Sequence, residues 1–222
     1  MTVAIAAPAA TAARAAPVAI AARCATLRGV AIQIVDADPG WPARYVAARA
    51  ELAAIPGVVA IEHVGSTAVP GLAGKPVIDL AAGVADPALL DVSAEEPWTA
   101  TASHSLAPRG AAAHVALVVA ITSLGYVYRG EADIPGRLYF RRDTAGVRTH
   151  HLHVALLGGA FWDDHLLFRD YLRAHPARAA AYAAVKRALA AALADRAAYT
   201  DAKGPFIRET MALARAWRAA RG

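Results

Sequence analysis

The chain has 222 residues, of which 57% are hydrophobic, and a formal net charge of +5. This length suits one domain with a sizeable core, and no run approaches the ~18 to 20 strongly apolar residues of a membrane span, so we expect a soluble, cytoplasmic protein. The basic balance favours phosphate-bearing partners or simply reflects an Ala/Arg-rich composition. No basic stripe interleaved with aromatic residues points to nucleic-acid binding.

Residues 1–30 are rich in alanine and proline, with scattered arginine and no acidic residue. They lack the basic start and the continuous apolar segment of an export signal. We therefore predict a disordered tail over residues 1–30 and a single domain over residues 31–222. Cys24, the only cysteine, cannot form a disulfide within the chain, and nothing else indicates an oxidising compartment.

The first predicted helix begins at Trp41-Pro42, because proline is tolerated in the first turn of a helix, and it ends before Pro56-Gly57. Apolar residues recur along it at helical spacing, so one face is expected to be buried. Two strands follow, over residues 58–64 and residues 77–82. Both are so apolar that neither is expected at the water-facing edge of a sheet.

The turn between these two strands has the composition of a phosphate site. Gly65 allows the backbone to approach a ligand closely, and the N–H groups and hydroxyls of Ser66 and Thr67 can donate to phosphate oxygens. Lys75 lies within reach of the same phosphate, and Asp79, on the second strand, offers the oxygen ligand that Mg²⁺ prefers. The alternative interpretation is a tight loop beside a solvated aspartate.

The second half of the domain has three predicted parts. Residues 85–118 have poor periodicity and are expected to form a long loop or an insertion, which is where we expect substrate specificity. A helix over residues 117–124 and three strand-like segments follow, separated by turns. Residues 161–220 are predicted to be helical, and the last helix is expected to bury Leu213. This order of strands and helices predicts an α/β fold with a mixed sheet.

A series of short motifs, spread over roughly residues 33–84 and 120–208, resembles the GrpB family of UPF0157-type proteins. The motifs are Asp38-Pro39-Gly40-Trp41-Pro42, Ile61 to Asp79, Leu124-Gly125-Tyr126, Tyr139-Phe140-Arg141-Arg142, His151-Leu152-His153-Val154, Phe168-Arg169-Asp170-Tyr171-Leu172-Arg173 with His175-Pro176, Tyr182 with Lys186, and Tyr199 with Lys203. This family is related to the nucleotidyltransferase fold and is similar to a domain fused to some bacterial dephospho-CoA kinases. The resemblance implies an α/β (α+β) fold, with a nucleotidyltransferase-like mixed β-sheet flanked by helices and a C-terminal helical segment.

Nucleotidyltransferases hold a triphosphate at a Gly-Ser turn, and carboxylates on adjacent strands bind two metal ions that activate the attacking hydroxyl. This chain matches the turn at Gly65-Ser66 and one carboxylate, Asp79, but Ala81 stands where a second acid is usual. His151 and His153 stand on the later strand, where a third acid is expected. One carboxylate with imidazoles suits a single divalent metal, Mg²⁺ or Mn²⁺, held partly by substrate phosphates, or a softer ion such as zinc.

Together these observations assign Asp79, His151 and His153 to catalysis, with Asp79 and His153 as metal ligands. The two histidines would share one strand face, where either could act as general base, or both could simply form polar contacts. The residues predicted to bind phosphate or nucleotide are Gly65, Ser66, Thr67, Lys75, Arg141, Arg142, Lys186 and Lys203. Only one of Arg141 and Arg142 can face the pocket side of the sheet. The alternative for each of these cations is a solvated surface charge.

Two main functions follow as alternatives. The first is a metal-dependent nucleotidyltransferase that moves a nucleotidyl group from a nucleoside triphosphate to a small acceptor. The second is a non-catalytic module with the same fold that binds a nucleotide or a coenzyme A precursor, and the missing second carboxylate at position 81 favours it. A hydrolase or another phosphate-handling enzyme is a third interpretation, and the sequence predicts no oligomeric state.

Overall fold

The structure is a computed structural model that describes residues 32–92 and 109–221. Its helices are α1 Trp41–Leu52, α2 Arg109–Ser123, α3 Ala160–Ala174, α4 Pro176–Ala192, α5 Arg196–Ala202 and α6 Gly204–Ala219. Its strands are β1 Val58–Val64, β2 Ile78–Val84, β3 Val127–Tyr128, β4 Arg137–Thr144 and β5 Val147–Leu156. The predicted tail, residues 1–30, lies outside the described residues, as do residues 93–108 of the predicted loop. Within the described ranges, no helix is long and apolar enough to cross a membrane.

The five strands form one mixed sheet in the order β1-β2-β5-β4-β3. β2 and β5 are parallel, and the other neighbouring pairs are antiparallel. The predicted mixed α/β architecture is therefore confirmed, but β1 is an edge strand, so the prediction that its apolar composition excludes an edge position is wrong. Its two faces are both covered, because Ile61 packs in the main core and Val64 packs against Trp162 of α3.

Side chains that alternate along the strands give the sheet two different faces. We call one the closed face, because it packs against α1 and α2 in the main core. Its large side chains are Ile61, Leu80, Leu138, Phe140, Leu152 and Val154. All of these are 0% exposed except Ile61, at 7%. Burying each such side chain stabilises the fold by about 1.5 to 3 kcal/mol.

The open face carries the alternate residues of the same strands and lies toward α3. Its members include Asp79, Ala81, Gly83, Tyr139, His151 and His153. Trp162 of α3 covers one end of it and packs with Ala81. Gly83 leaves room for the indole, since a Cβ atom there would lie 3.0 Å from a ring carbon of Trp162. The polar end of the open face, around Asp79, holds the candidate site.

The predicted helical region over residues 161–220 is confirmed as α3 to α6. Pro176 is the first residue of α4, a position where its missing N–H costs nothing. The buried side of α6 differs from the prediction, because Met211 and Ala214 are buried whereas Leu213 is 43% exposed. The helix predicted over residues 117–124 begins earlier, at Arg109, within the segment predicted as a long loop or an insertion over residues 85–118.

Candidate functional site

The turn after β1 approaches the carboxylate on β2 closely. Gly65 has φ +70° and ψ −167°, a conformation that only glycine adopts readily. A Cβ atom built at Gly65 would lie 2.4 Å from Oδ2 of Asp79. Antiparallel pairing places Val64 opposite Asp79, so the strand register itself brings the turn beside the carboxylate. A residue without a side chain is therefore required at position 65.

Asp79 is held by a histidine of the neighbouring strand. Asp79 and His151 are register partners in the parallel pair of β2 and β5, and Nδ1 of His151 donates to Oδ1 of Asp79 over 2.9 Å. Burial raises the pKa of Asp79, but the hydrogen bond and the charge of His151 outweigh it, so the pKa lies below its ordinary value. The Asp79 side chain is still 26% exposed, so an ionised carboxylate is accessible at this end of the open face.

His153 is a hydrogen-bond donor at this site. Arginine only donates, so the contact of 3.2 Å between Nη1 of Arg137 and Nδ1 of His153 makes Nδ1 the acceptor. Burial lowers the pKa of His153 to about 3, so the ring is neutral and its hydrogen is on Nε2. This tautomer does not fit the metal-ligand role predicted for His153, because a ligating nitrogen needs a free lone pair.

A lysine of α4 supports the serine of the turn. Nζ of Lys186 donates to Oγ of Ser66 over 2.8 Å and also donates to the carbonyl oxygen of Ala73. Only 3% of Lys186 is exposed, and burial, together with the charge of Lys203, lowers its pKa to about 7. Because the oxygen of Ser66 accepts from the ammonium group, the serine hydrogen is left to donate to a ligand.

Two further lysines lie against the ring of Tyr199. Nζ of Lys75 is 4.5 Å from the ring centroid, and Nζ of Lys203 is 4.7 Å from it. Burial and the neighbouring charge of Lys203 lower the pKa of Lys75 to about 8, as expected where cations are held close together. Asp79 opposes this effect at Lys75, Lys186 and Lys203 alike, so all three ammonium groups lie within the field of the carboxylate.

A cleft of about 400 Å³ opens at this end of the open face. Five of the predicted site residues line it, namely Gly65, Ser66, Asp79, His153 and Lys203. The helical segment supplies an apolar part of the lining, formed by Phe168, Tyr182, Ile207 and Met211, and also contributes Asp164 and His165. The cleft therefore combines a carboxylate, a cation and hydrogen-bond donors with an apolar wall.

The donor set at this cleft suits a metal ion only in part. The described part of the chain contains no group of three or more His, Cys, Asp and Glu side chains placed to share a metal. Asp79 provides hard oxygen atoms, whereas Asp164 is already bound by Arg215, with both oxygens 3.0 Å from Nη2. A divalent ion at Asp79 would therefore take most of its ligands from a bound molecule or from water.

Comparison with known proteins gives the family. The family model described as GrpB protein matches residues 31–100 and 108–213. The chain belongs to the GrpB family. It is 39% identical over 184 residues to a UPF0157 protein of Pseudomonas aeruginosa, an alignment that covers 79% of this chain and 64% of that protein. It is also 30% identical over 196 residues to a dephospho-CoA kinase of Mycobacterium leprae, covering 83% of this chain and 46% of the kinase.

This GrpB chain thus spans less than two thirds of the length of both relatives. A crystal structure of the conserved protein GrpB from Enterococcus faecalis resembles it over nearly the whole of that protein. The two share a TM-score of 0.64 and 29% sequence identity, covering 83% of this chain and 99% of the Enterococcus chain. The family resemblance predicted from the motifs is therefore confirmed.

The two adjacent arginines predicted to bind phosphate lie on different sides of the sheet. Arg142 is on the side of the closed face, where Nη1 pairs with Oε2 of Glu51 at 2.5 Å and the guanidinium lies 4.7 Å from the ring centroid of Tyr126. Arg141 is on the open face, opposite His151 in the β4–β5 register, but it is not among the residues that line the cleft. The structure thus leaves Arg142 outside the site and Arg141 beside it.

Thr67, also predicted to bind phosphate, contacts the interior of the fold. Its Oγ1 lies 3.0 Å from Nε2 of His63 and donates to the carbonyl oxygen of Val77 over 3.3 Å. It lines a separate cavity of about 570 Å³ together with His63 and Arg173. The residues lining that cavity include neither Asp79 nor a lysine, so the chemistry predicted from the sequence is concentrated in the Asp79 cleft.

Sequence reasoning missed two residues that shape the cleft. His165 of α3 lines it, and Arg137 of β4 sets the hydrogen-bonding role of His153. Spacing could have indicated His165, because Phe161, His165 and Arg169 recur every four residues along one helix face, and Arg169 contacts Glu62 of β1 over 2.6 Å. No spacing or motif in the sequence indicates the role of Arg137, since an arginine after a Pro-Gly turn is usually solvated.

Proposed function

We propose that this GrpB protein is a nucleotidyltransferase-like enzyme. It binds a nucleoside triphosphate, or a similar phosphate-bearing small molecule, in the Asp79 cleft and transfers the nucleotidyl group to a small acceptor. The contact between Gly65 and Asp79 supports this proposal most, because enzymes of that fold place a phosphate-binding Gly-Ser turn beside a strand carboxylate. The family relationship is consistent with the fold but does not by itself give the activity.

The polar residues of the cleft suit a polyphosphate. Because the oxygen of Ser66 accepts from Lys186, its hydroxyl hydrogen is free to donate to a phosphate oxygen. Lys203 and Lys75, which both contact the ring of Tyr199, add positive charge. Charge-assisted hydrogen bonds to phosphate are about twice as strong as neutral ones. Nε2–H of His153 gives a further donor for a phosphate oxygen.

The apolar lining suits the remainder of a nucleotide. Phe168 and Tyr182 lie edge to face, with ring centroids 5.6 Å apart, and Met211 lines the same cleft. Aromatic and thioether side chains contact flat heterocyclic rings favourably. A ligand with phosphates and a base would therefore use both parts of the cleft.

Asp79 is the residue that we expect to hold a divalent ion, Mg²⁺ or Mn²⁺, together with oxygens of the triphosphate. Such an ion would neutralise negative charge at the reacting phosphate. The hydrogen bond from His151 keeps the carboxylate ionised and fixed in orientation. The chain itself supplies the remaining groups: it binds the phosphates, orients the base and excludes water through the helical segment.

A second candidate is a module that binds a nucleotide or a coenzyme A precursor without turnover. Ala81, which is 0% exposed, stands on the open face where nucleotidyltransferases carry a second acid. The described residues also offer no three-ligand metal group. The similarity to a region of a dephospho-CoA kinase, which is a longer protein, makes coenzyme A precursors the natural ligands to test for this alternative.

A thermal-shift screen with nucleoside triphosphates and coenzyme A precursors, each with Mg²⁺ or Mn²⁺, tests ligand class, because a ligand specific for the folded state raises its stability. We expect the triphosphates to raise Tm most, and Asp79→Asn to abolish the metal-dependent part of the shift. Glu51→Gln is the matched control, since Glu51 is a carboxylate bound to Arg142 away from the cleft.

Release of pyrophosphate from labelled nucleotide separates the two functions. The wild type should release it, and Asp79→Asn should reduce the rate by about 100-fold or more. Binding that is unaffected by Asp79→Asn, combined with no pyrophosphate from the wild type, would overturn the transferase and favour the binding module. A larger shift with a coenzyme A precursor than with any triphosphate would assign the cleft to the second function.

A further inference from the structure

We infer that His165, and neither of the histidines singled out in the sequence, is the base of the Asp79 cleft. In this assignment Nε2 of His165 accepts the proton of the attacking hydroxyl, while His153 donates a hydrogen bond to the bound molecule. The chemistry rests on the proposed transfer reaction. The assignment of the rings rests on hydrogen-bond geometry.

His165 lines the cleft, and its ring has a lone pair. Its Nδ1 lies 2.7 Å from the carbonyl oxygen of Phe161, and because a carbonyl only accepts, Nδ1 carries the hydrogen and the lone pair of a neutral ring is on Nε2. Stacking on Phe161, with ring centroids 3.9 Å apart, holds the imidazole in place. Burial lowers the pKa of His165, which keeps the ring neutral and able to accept a proton at neutral pH.

Neither histidine of β5 has a lone pair that is free for a ligand in the cleft. His151 donates from Nδ1 to Asp79, and Nη1 of Arg148, which can only donate, lies 3.4 Å from its Nε2. His153 accepts from Arg137 at Nδ1, so its Nε2 carries a hydrogen. The ring of His165 lies 6.0 Å from that of His153 between centroids, close enough for both to contact one bound molecule.

In the transfer step one ring accepts a proton and the other donates a hydrogen bond. The hydroxyl oxygen of the acceptor forms a bond to the α-phosphorus of the triphosphate. The bond from that phosphorus to the bridging oxygen breaks, and its electron pair leaves with pyrophosphate. The hydroxyl proton passes to Nε2 of His165, which later returns it to water. Nε2–H of His153 donates to a non-bridging phosphate oxygen and stabilises the charge that develops there.

The tautomers can be measured without any reaction. Long-range ¹H–¹⁵N correlation spectra of protein labelled at histidine distinguish ring nitrogens that carry a hydrogen from those that do not. We expect the hydrogen on Nδ1 of His165 and on Nε2 of His153. A hydrogen on Nε2 of His165 would overturn the assignment, whatever the nucleotide experiments give.

The kinetic test is His165→Asn, which keeps a polar side chain but removes the base. We expect kcat for pyrophosphate release to fall by about 100-fold or more, with KM changed by less than about threefold. His175→Asn is the matched control, because His175 also contacts a carbonyl four residues earlier, that of Tyr171 at 2.8 Å, and stacks on the same residue, yet it does not line the cleft.

The outcomes separate this inference from the proposed function. A wild type that releases pyrophosphate and a His165→Asn variant with unchanged kcat would show that the reaction stands and that His165 is not its base. If the wild type released no pyrophosphate, both the proposed transfer reaction and the catalytic role of His165 would be overturned. If His175→Asn also lost activity, the loss in His165→Asn would reflect a disturbed α3 and not a missing base, and this result would contradict the inference.

Discussion

The closed face and the open face are built from the same strands, yet they serve different purposes. Leu80 and Asp79 are neighbours on β2, and Leu152 lies between His151 and His153 on β5. The leucines are 0% exposed in the main core, whereas Asp79 and His151 are about a quarter exposed beside a cleft. Because side chains alternate along a strand, stability and chemistry are assigned to alternate residues, and single substitutions can separate them.

The largest expected effect tests the closed face. Leu152→Ala should lower the free energy of unfolding by about 2 to 5 kcal/mol, since it leaves a cavity in a well-packed core. His151→Ala, one position earlier on the open face, should lower it by only about 1 kcal/mol, the value of one hydrogen bond. For nucleotide affinity we expect the reverse order. Urea denaturation measures the stability of the variants, and titration of the folded variants with nucleotide measures affinity. Equal losses of stability in the two variants would contradict the different roles of the two faces.

Acidification should destabilise the folded protein, because buried neutral histidines must be protonated. Burial lowers the pKa of His63 to about 4 from an ordinary 6.5, so the unfolded chain binds more protons than the folded one between these values, and stability falls as the pH drops from about 6.5 to 4. The loss amounts to at most about 3 kcal/mol. His63→Gln should flatten this pH dependence in denaturation curves. If the stability of His63→Gln depended on pH with the same slope as that of the wild type, His63 would not be the source of the effect.

Alkaline pH should act in the opposite direction through Lys186. Its pKa of about 7 in the folded state lies below that of a free lysine, so the unfolded chain binds more protons and stability rises between about pH 7 and pH 9, by roughly 2 kcal/mol. The stabilisation given by a nucleotide should meanwhile shrink, because fewer ammonium groups remain to attract phosphate. Denaturation at several pH values, with and without nucleotide, measures both trends. Lys186→Met should weaken both, and a variant with unchanged trends would exclude Lys186 as their source.

The smallest expected effect compares two cations. Arg142→Gln breaks a partly exposed ion pair with Glu51, so it should cost about 1 kcal/mol of stability or less and leave nucleotide affinity unchanged. Lys203→Gln should instead weaken nucleotide binding several-fold with little change in Tm. Loss of binding in Arg142→Gln would mean that the ligand contacts the other side of the sheet.

Much of this organisation could be predicted from the sequence because it depends on local patterns. The two strands joined by the Gly65 turn, the helical C-terminal segment and the approach of the turn to Asp79 all follow from spacing and turn residues within about 20 positions. The order of strands and helices along the chain predicted the mixed sheet, and the family resemblance implied the same architecture. Even the division of Arg141 and Arg142 between two sides of the sheet follows from alternation, although the sequence does not indicate which of them is on the open face.

The remainder depends on contacts between distant segments. Lys186 was predicted to bind phosphate, but its contact with Ser66 spans 120 positions, and nothing near Lys186 in the sequence indicates that partner. The hydrogen-bonding role of His153 depends on Arg137 of another strand, a contact that the sequence does not indicate. The edge position of β1 was not predicted, because helices cover both of its faces. One is α1, which directly precedes β1 in the chain, and the other is α3, which is distant in sequence.

The central claim is that the Gly65 turn and the Asp79 carboxylate together bind the phosphates of one ligand. Titration calorimetry of Gly65→Ala and Gly71→Ala with a nucleoside triphosphate and Mg²⁺ tests it most directly. Both glycines have a positive φ, +70° and +74°, but an added Cβ lies 2.4 Å from Oδ2 of Asp79 at position 65 and within 4 Å of nothing at position 71. We expect Gly65→Ala to bind at least about tenfold more weakly and Gly71→Ala to bind like the wild type. A folded Gly65→Ala protein with wild-type affinity would contradict the account.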